Sequence, residues 1–163
     1  MKLDIGCGQN KRAGFTGMDM HPYEGVDIVQ DLNQVPWRVN DASCNEIFAN
    51  QVIEHIPDLR AFFTELHRIA DDGCIITLTT PHYSSRSSWA DPTHIHHLSV
   101  DFCESFTSGY LAEQLPGFSV TSKKISFGSV LWTWPGRLIS ALFGYTFYEK
   151  RFCWMFPASS IIV

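Results

Sequence analysis

The chain has 163 residues and a mass of 18.5 kDa, a size that suits one globular domain with a substantial core. Hydrophobic residues make up 45% of the composition and charged residues 18%, which is ordinary for a globular protein. The net charge of −5 argues against a general nucleic-acid-binding protein, because phosphate contacts require a basic surface.

Charge is unevenly distributed along the chain. Residues 1–122 contain seven Lys and Arg against sixteen Asp and Glu, a net charge of −9, whereas residues 123–163 have a net charge of +4. A basic, aromatic C-terminal third can attract an anionic substrate or a membrane surface, so peripheral membrane contact is one expectation. The other is a cationic face on a soluble domain.

Cysteines and apolar segments indicate the compartment. The five cysteines are scattered and form no CxxC pair, which matches neither a disulfide framework nor a zinc-knuckle spacing. No signal peptide precedes the first predicted strand, and the longest apolar stretch, LISALFGYTF, is interrupted too soon to span a bilayer. We therefore expect a reduced, cytoplasmic protein.

Short apolar runs and one amphipathic helix predict the fold. Asp58–Ala70 is the clearest helix, with Asp58 as its cap and Gly73 just beyond its end, where a left-handed residue is needed. The alternation of strands with helices predicts an α/β fold with a doubly wound, mostly parallel sheet. Five runs predict buried strands: Leu3–Ile5, Thr16–Met20, Val26–Val29, Glu46–Asn50 and Cys74–Thr80.

The rest of the chain is predicted to complete a single domain over residues 1–163. A helix is expected over Ser108–Leu115 with Thr107 as its cap, and a strand over Phe118–Phe127. Residues 128–157 are expected to form an apolar helical cover or lid, helical from Arg137 to Phe156 with a break near Gly144.

Glycines and acids follow the first strands. In LDIGCG, Gly6 and Gly8 permit backbone torsions and a close approach that a Cβ would block. Asp19, at the end of the second strand, is placed to accept hydrogen bonds from two ribose hydroxyls. Asp31, after the third, can accept one from an adenine amine. In such sheets ligands bind beyond the carboxyl ends of the strands, so these groups predict a site for a nucleoside-bearing cofactor.

The ordered set LDIGCG, GMDM, DIVQDLN, EIFANQVIEHI and DGCIITLTTP resembles the class I S-adenosylmethionine-dependent methyltransferases, in particular the short bacterial type 11-like group. The resemblance covers roughly residues 3–81. It implies S-adenosylmethionine as cofactor and a final antiparallel strand, which SSIIV can begin. The implied cofactor-binding residues are Asp4, Gly6, Cys7, Gly8, Asp19, Met20, Asp31, Leu32, Asn50 and Gln51.

Two features depart from this family. Ten residues separate Gly8 from Asp19, too few for the usual crossover helix, and no helix precedes the first strand. A more open or weaker cofactor site is therefore expected. A nicotinamide dehydrogenase is the nearest rival, but its fingerprint needs a third glycine where this chain has Lys11.

A polar, histidine-rich segment follows the fifth strand, and we predict residues 82–106 to be a substrate loop. Methyl transfer requires alignment of the acceptor and, for a hydroxyl, removal of its proton, a task suited to His near neutral pH. The candidate catalytic residues are His55, Asp91 and His94, with Asp91 orienting the imidazole of His94. The candidate substrate-binding residues are His82, Arg86 and His97.

These residues also allow other interpretations. Asp91 can serve only as a turn cap in Asp91-Pro92-Thr93, and His55 can be a helix N-terminal residue bonded to backbone. No metal is assigned, although Asp91 and His94 with His96 or His97 offer ligand types suited to zinc or iron.

The leading functional hypothesis is methyl transfer to oxygen or nitrogen of a small-molecule or carbohydrate-like acceptor. A non-catalytic binding module with the same fold is the alternative, motivated by the shortened first crossover. A metal-dependent hydrolase is third.

Overall fold

The computed structural model describes residues 1–108, 117–128 and 131–163, and its centre is a seven-stranded sheet. The strands are β1 (Lys2–Ile5), β2 (Thr16–Asp19), β3 (Ile28–Val29), β4 (Cys44–Asn50), β5 (Ala70–Pro81), β6 (Lys124–Ser126) and β7 (Ser160–Ile162). Their order in the sheet is β3-β2-β1-β4-β5-β7-β6. The first five are parallel, and β7 pairs antiparallel with both β5 and β6. The predicted doubly wound sheet is confirmed, as is a final antiparallel strand within SSIIV.

Helices accompany this sheet: α1 (Leu59–Ile69), α2 (Arg86–Ala90), α3 (Glu104–Thr107), α4 (Trp134–Phe143) and α5 (Tyr145–Arg151). Short 3-10 turns cover Ile53–His55 and Leu131–Thr133. The carboxylate of Asp58 accepts a hydrogen bond from the backbone N–H of Ala61 at 2.9 Å, so the predicted cap of α1 is confirmed.

The end of α1 differs from the prediction. Ala70 turns directly into an extended conformation, and β5 begins there. Gly73 has φ +75° but lies within β5, where the pairing with β4 shifts register between Cys44 and Glu46. Its left-handed torsion therefore serves a bulge in the strand and not the helix terminus.

Two further predictions in the C-terminal half are wrong in their bounds. Thr107 does not cap a helix, because α3 ends at that residue; most of the predicted helix lies outside the described residues. Of the predicted strand Phe118–Phe127, three residues are strand. The predicted break at Gly144 is confirmed: it separates α4 from α5, and its φ is +84°.

Two hydrophobic clusters hold the sheet. The larger packs strands β1 and β4 against α1 through side chains such as Leu3, Ile47, Phe62 and Leu66. The smaller surrounds Tyr148 of α5 and includes Ile125 and Ile161 of the antiparallel strands. No helix among the described residues is long and apolar enough to cross a membrane.

Candidate active site

The carboxyl ends of β1, β2, β3 and β4 lie side by side. Ile5 is paired with Met18 and with Ala49, and Asp19 with Val29. The residues that follow these strands therefore meet at one edge of the sheet. Parallel pairing thus gathers the predicted cofactor-binding residues, which are separated in sequence, along one surface.

Asp19 fixes the glycine turn to the tip of β2. Its Oδ2 accepts a hydrogen bond from the backbone N–H of Gly8, and its Oδ1 accepts one from the N–H of His21, both at 2.9 Å. A carboxylate offers about four acceptor sites, so two remain for ligand hydroxyls. The geometry is consistent with the ribose-binding role predicted for Asp19.

The glycine turn packs tightly at Gly6 and is open at Gly8. Gly6 has φ +64°, and a Cβ at this position would lie 2.4 Å from Cγ2 of Val52. Gly8 has φ +53°, and a Cβ there would meet nothing within 4 Å. The turn therefore leaves open space at Gly8.

Residues 6–15 form turns without a helix, as the short spacing predicts. Asp4 is buried, and its Oδ2 accepts a hydrogen bond from the N–H of Arg12 at 2.7 Å. The Arg12 guanidinium lies over the ring of Phe48 at 4.5 Å. Burial raises the pKa of Asp4 against the opposing effects of Arg12. These contacts hold the short crossover on the sheet.

The predicted adenine edge is exposed. Met20 is 58% accessible. The carboxylate of Asp31 accepts hydrogen bonds from the N–H of Asn33 at 3.0 Å and from the side chain of Gln34 at 3.2 Å. The carbonyl of Leu32 accepts one from the indole of Trp37. A cavity of about 210 Å³ opens beside Asp31.

The remaining predicted cofactor residues follow β1 and β4. Cys7 is buried next to the glycines, and burial raises the pKa of its thiol. Asn50 ends β4 and is exposed. Gln51 has φ +57°, an uncommon conformation for a residue with a side chain, and its N–H is bonded to the carbonyl of Thr79. Such strain is concentrated at functional sites.

A second group of polar side chains lies beyond β4 and β5. Oδ1 of Asp91 accepts hydrogen bonds from the N–H and hydroxyl of Thr93 at 2.8 and 2.6 Å. The carbonyl and hydroxyl oxygens of Thr93 lie 3.2 and 3.0 Å from Nδ1 of His55. The carbonyl can only accept, so Nδ1 of His55 carries a proton, and in the neutral imidazole Nε2 has the lone pair. Asp91 therefore caps its turn and, through Thr93, orients His55.

His94 stands edge-on to His55, with ring centroids 4.7 Å apart. Its Nδ1 lies 3.2 Å from the carbonyl of Ser88, so this nitrogen also carries the proton. Nε2 then faces Oδ2 of Asp91 at 3.8 Å and Oε1 of Glu54 at 4.0 Å. The predicted residues His55, Asp91 and His94 are thus brought together, although Asp91 makes no hydrogen bond to His94.

Glu54 is the residue that sequence reasoning missed. It is fully buried beneath the two histidines, and its Oε2 accepts a hydrogen bond from the hydroxyl of Thr80 at 3.0 Å. Burial raises the pKa of this carboxyl. Its place in VIEHI, among Val52, Ile53 and Ile56 shortly after β4, is the sequence feature that indicates a buried acid.

His82 is a structural residue, contrary to the prediction that it binds substrate. It is fully buried. Nδ1 accepts a hydrogen bond from the N–H of Ser84, so Nε2 carries the proton and donates to Glu149 of α5 at 2.9 Å. Glu149 also accepts from the N–H of Val100. Both ring nitrogens are therefore used within the protein.

The other histidines of the loop and Arg86 are more exposed. Arg86 begins α2 at the surface. His97 stacks on Trp89 with centroids 3.5 Å apart, and its Nδ1 lies 2.9 Å from the hydroxyl of Ser88. His96 donates from Nε2 to the carbonyl of Ile56 at 2.8 Å. Substrate contacts by Arg86 and His97 stay predictions, and His96 does not join His94 and Asp91.

Residues 2–123 match the family model described as a methyltransferase domain. The matched segment contains β1 to β5 and every predicted site residue. The chain therefore belongs to this methyltransferase-domain family. This membership confirms the resemblance and agrees with S-adenosylmethionine as cofactor. No curated protein matches the sequence significantly.

Solved structures share the fold at low sequence identity. A SAM-dependent methyltransferase from Archaeoglobus fulgidus has a TM-score of 0.64 and 17% identity, covering 98% of this chain and 82% of that chain. One from Mesorhizobium loti has a TM-score of 0.59 and 13% identity, covering 99% and 88%. The [4+2]-cyclase SpnF has a TM-score of 0.58 and 15% identity, covering 98% and 72%. The fold alone therefore does not specify methyl transfer.

Proposed function

We propose that the protein is an S-adenosylmethionine-dependent methyltransferase that modifies oxygen or nitrogen of a small-molecule or carbohydrate-like acceptor. The observation that carries the proposal is Asp19 at the tip of β2, bonded to the N–H of Gly8 and retaining acceptor sites for a ribose. Asp31 and Met20 follow at the same edge for the base.

The acceptor half of the proposal rests on the group formed by Asp91, His55 and His94. Methyl transfer is an in-line displacement at a carbon activated by its sulfonium, so the protein must mainly align the acceptor. An oxygen or nitrogen nucleophile also loses a proton. Oδ2 of Asp91, 3.8 Å from Nε2 of His94, supplies a lone pair that can receive it.

Cofactor binding is tested by calorimetric titration with S-adenosylhomocysteine. We expect saturable binding to the wild-type protein and loss of at least about tenfold in affinity for Asp19→Ala, because the ribose contacts and the anchor of Gly8 disappear together. Asp72→Ala, an exposed acid within β5, is the matched control and should bind as wild type does. Absence of binding to the wild-type protein would sink the proposal.

Acceptor activation is tested by Asp91→Asn. The amide retains Oδ1 as acceptor for Thr93 but loses the negative charge of Oδ2, so the turn is kept and proton removal is impaired. We expect kcat for release of S-adenosylhomocysteine to fall about 10²-fold, at unchanged cofactor affinity. Asp72→Asn should retain full turnover. Wild-type cofactor binding without turnover on any acceptor of a broad panel would instead favour the binding-module alternative.

A further inference from the structure

Glu54 presents a buried carboxylate oxygen that has no hydrogen-bond partner. Oε2 is bonded to Thr80, whereas Oε1 is fully buried and unpaired among the described residues. Leaving a buried polar group unsatisfied costs about 1–3 kcal/mol, more if it is charged. A cation bound at Oε1 would satisfy this oxygen.

The two histidines next to Glu54 are held by Nδ1 in the way that metal-binding histidines usually are. Both Nδ1–H groups are directed to backbone carbonyls, His55 to Thr93 and His94 to Ser88. A histidine that binds a metal usually donates its other ring N–H to a carbonyl or carboxylate in this way, which fixes the tautomer and the ring orientation.

We infer that Glu54, His55 and His94 bind one divalent transition-metal ion. One nitrogen of each imidazole and one carboxylate oxygen of Glu54 lie within 4.8 Å of one another. Ligands of a tetrahedral ion with bonds of about 2.0–2.1 Å are roughly 3.3 Å apart, so small side-chain rotations complete the site. Asp91 Oδ2, 3.8 Å from Nε2 of His94, lies within reach of the ion or of a bound water.

The donor set selects the class of ion. Two imidazoles and one carboxylate suit zinc, iron(II), cobalt(II) or manganese(II), whereas magnesium and calcium prefer oxygen ligands alone. The site differs from the metal-binding alternative that the sequence left open, because Glu54 and His55 replace Asp91 and His96 or His97 as ligands. The burial of Glu54, which places its carboxylate beside His94, is not evident from the sequence.

The ion would favour a hydroxyl oxygen as the methyl acceptor. This part of the inference, unlike the metal site itself, rests on the proposed function. A hydroxyl ligated to the ion would lose its proton more easily, and Asp91 Oδ2 would receive that proton. The alkoxide oxygen would then form its bond to the methyl carbon as the carbon–sulfur bond breaks. The electron pair of that bond remains on sulfur, which becomes the neutral thioether of S-adenosylhomocysteine.

Metal binding is tested on the full chain after removal of metals with a chelator. Cobalt(II) is titrated in and followed by its visible absorption, and zinc(II) is titrated by calorimetry. We expect one equivalent to bind, with affinity reduced at least about 100-fold in Glu54→Gln and in His94→Ala. His67→Ala, which removes an exposed histidine on α1, is the control for adventitious coordination and should bind as wild type does.

Glu54→Gln is the decisive variant, because glutamine is nearly isosteric and keeps an acceptor for Thr80. If Glu54 is merely a protonated buried acid, this substitution leaves metal titrations unchanged, and the inference is overturned. Failure of the wild-type protein to bind either ion at millimolar concentration overturns it as well. Retained affinity for S-adenosylhomocysteine in each variant shows that the fold is intact. Stoichiometric metal binding without methyl transfer would support the metal site and contradict the proposed function.

Discussion

Gly6 and Gly8 share a left-handed backbone conformation but differ in what surrounds them. Both φ values are positive, so any L-residue pays a torsional cost of about 1–2 kcal/mol at either position. Only at Gly6 does a Cβ also overlap a neighbour, Cγ2 of Val52 at 2.4 Å. The two glycines therefore separate backbone strain from steric overlap.

Substitution at these positions is predicted to destabilise the protein unequally. Gly8→Ala should lower the free energy of unfolding by about 1–2 kcal/mol, and Gly6→Ala by at least about 1 kcal/mol more, measured by urea denaturation without ligand. Adding Val52→Ala to Gly6→Ala should restore part of the steric loss but not the torsional cost. Equal destabilisation by the two single substitutions would contradict this account.

For single residues, the sequence predicts the chemical role of a side chain better than it predicts the contacts of that side chain. Asp19 and Gly6 could be placed because strand ends and glycine turns have local signatures. The contacts of His82 and Glu54 could not, because their partners Glu149 and Thr80 are distant in sequence. Burial of a polar side chain depends on which helices and strands pack together, and a single sequence does not specify that packing.

Helix α1 is tied to the segment before β4 by Glu65 and Arg68, which pair with each other within the helix and hydrogen-bond to the backbone of that segment. Glu65 is 5% exposed, and its carboxylate accepts hydrogen bonds from Arg68 at 2.6 and 2.9 Å and from the N–H of Trp37 at 2.7 Å. Burial alone would raise the pKa of Glu65, but Arg68 and the Trp37 N–H outweigh it and the pKa is lowered. Arg68 also donates to the carbonyls of Trp37 and Val39.

This arrangement predicts a stability that depends on pH. Because the folded state lowers the pKa of Glu65, its contribution is complete above the ordinary glutamate value of about 4.3 and is lost as the pH falls through the lower folded value. Glu65→Gln should cost about 1–3 kcal/mol at pH 7, and the difference from wild type should narrow in acid. Thermal unfolding at several pH values measures both effects.

Glu104→Gln provides the comparison. Glu104 pairs with Lys123 at 2.5 Å but is largely exposed, and exposed pairs contribute about 0–1 kcal/mol. A loss at pH 7 as large as that of Glu65→Gln would show that burial is not what distinguishes the two pairs. A difference in stability between Glu65→Gln and wild type that stays constant at every pH would contradict the predicted pH dependence.

Elements with a strong periodicity could be predicted, and those set by tertiary contacts could not. The stripe of apolar residues and the capping Asp58 specify α1 locally. Gly73 has the torsion expected of a helix terminus but lies in a bulge of β5, which only the pairing with β4 reveals. Likewise β6 and its partner β7 are each three residues long, and the short extent of their pairing was not evident in the sequence.

Across the whole molecule, the parallel half of the sheet follows from the alternation of strand and helix patterns. The C-terminal region does not. It buries Tyr148 and Phe127, yet it leaves Trp132, Leu142 and Trp154 well exposed. Aromatic content therefore predicts neither burial nor exposure here. A lid over residues 128–157 and contact with a membrane surface stay predictions.

The position of β7 between β5 and β6 has a consequence for synthesis. A ribosome delivers β1 to β5 in nearly their order of pairing, so that part of the sheet can assemble while translation continues. β7 (Ser160–Ile162) joins β6 to the sheet, because it pairs with both β5 and β6. β6 precedes β7 in the chain and therefore emerges before it. The nascent polypeptide therefore cannot attach β6 until elongation has passed these last residues.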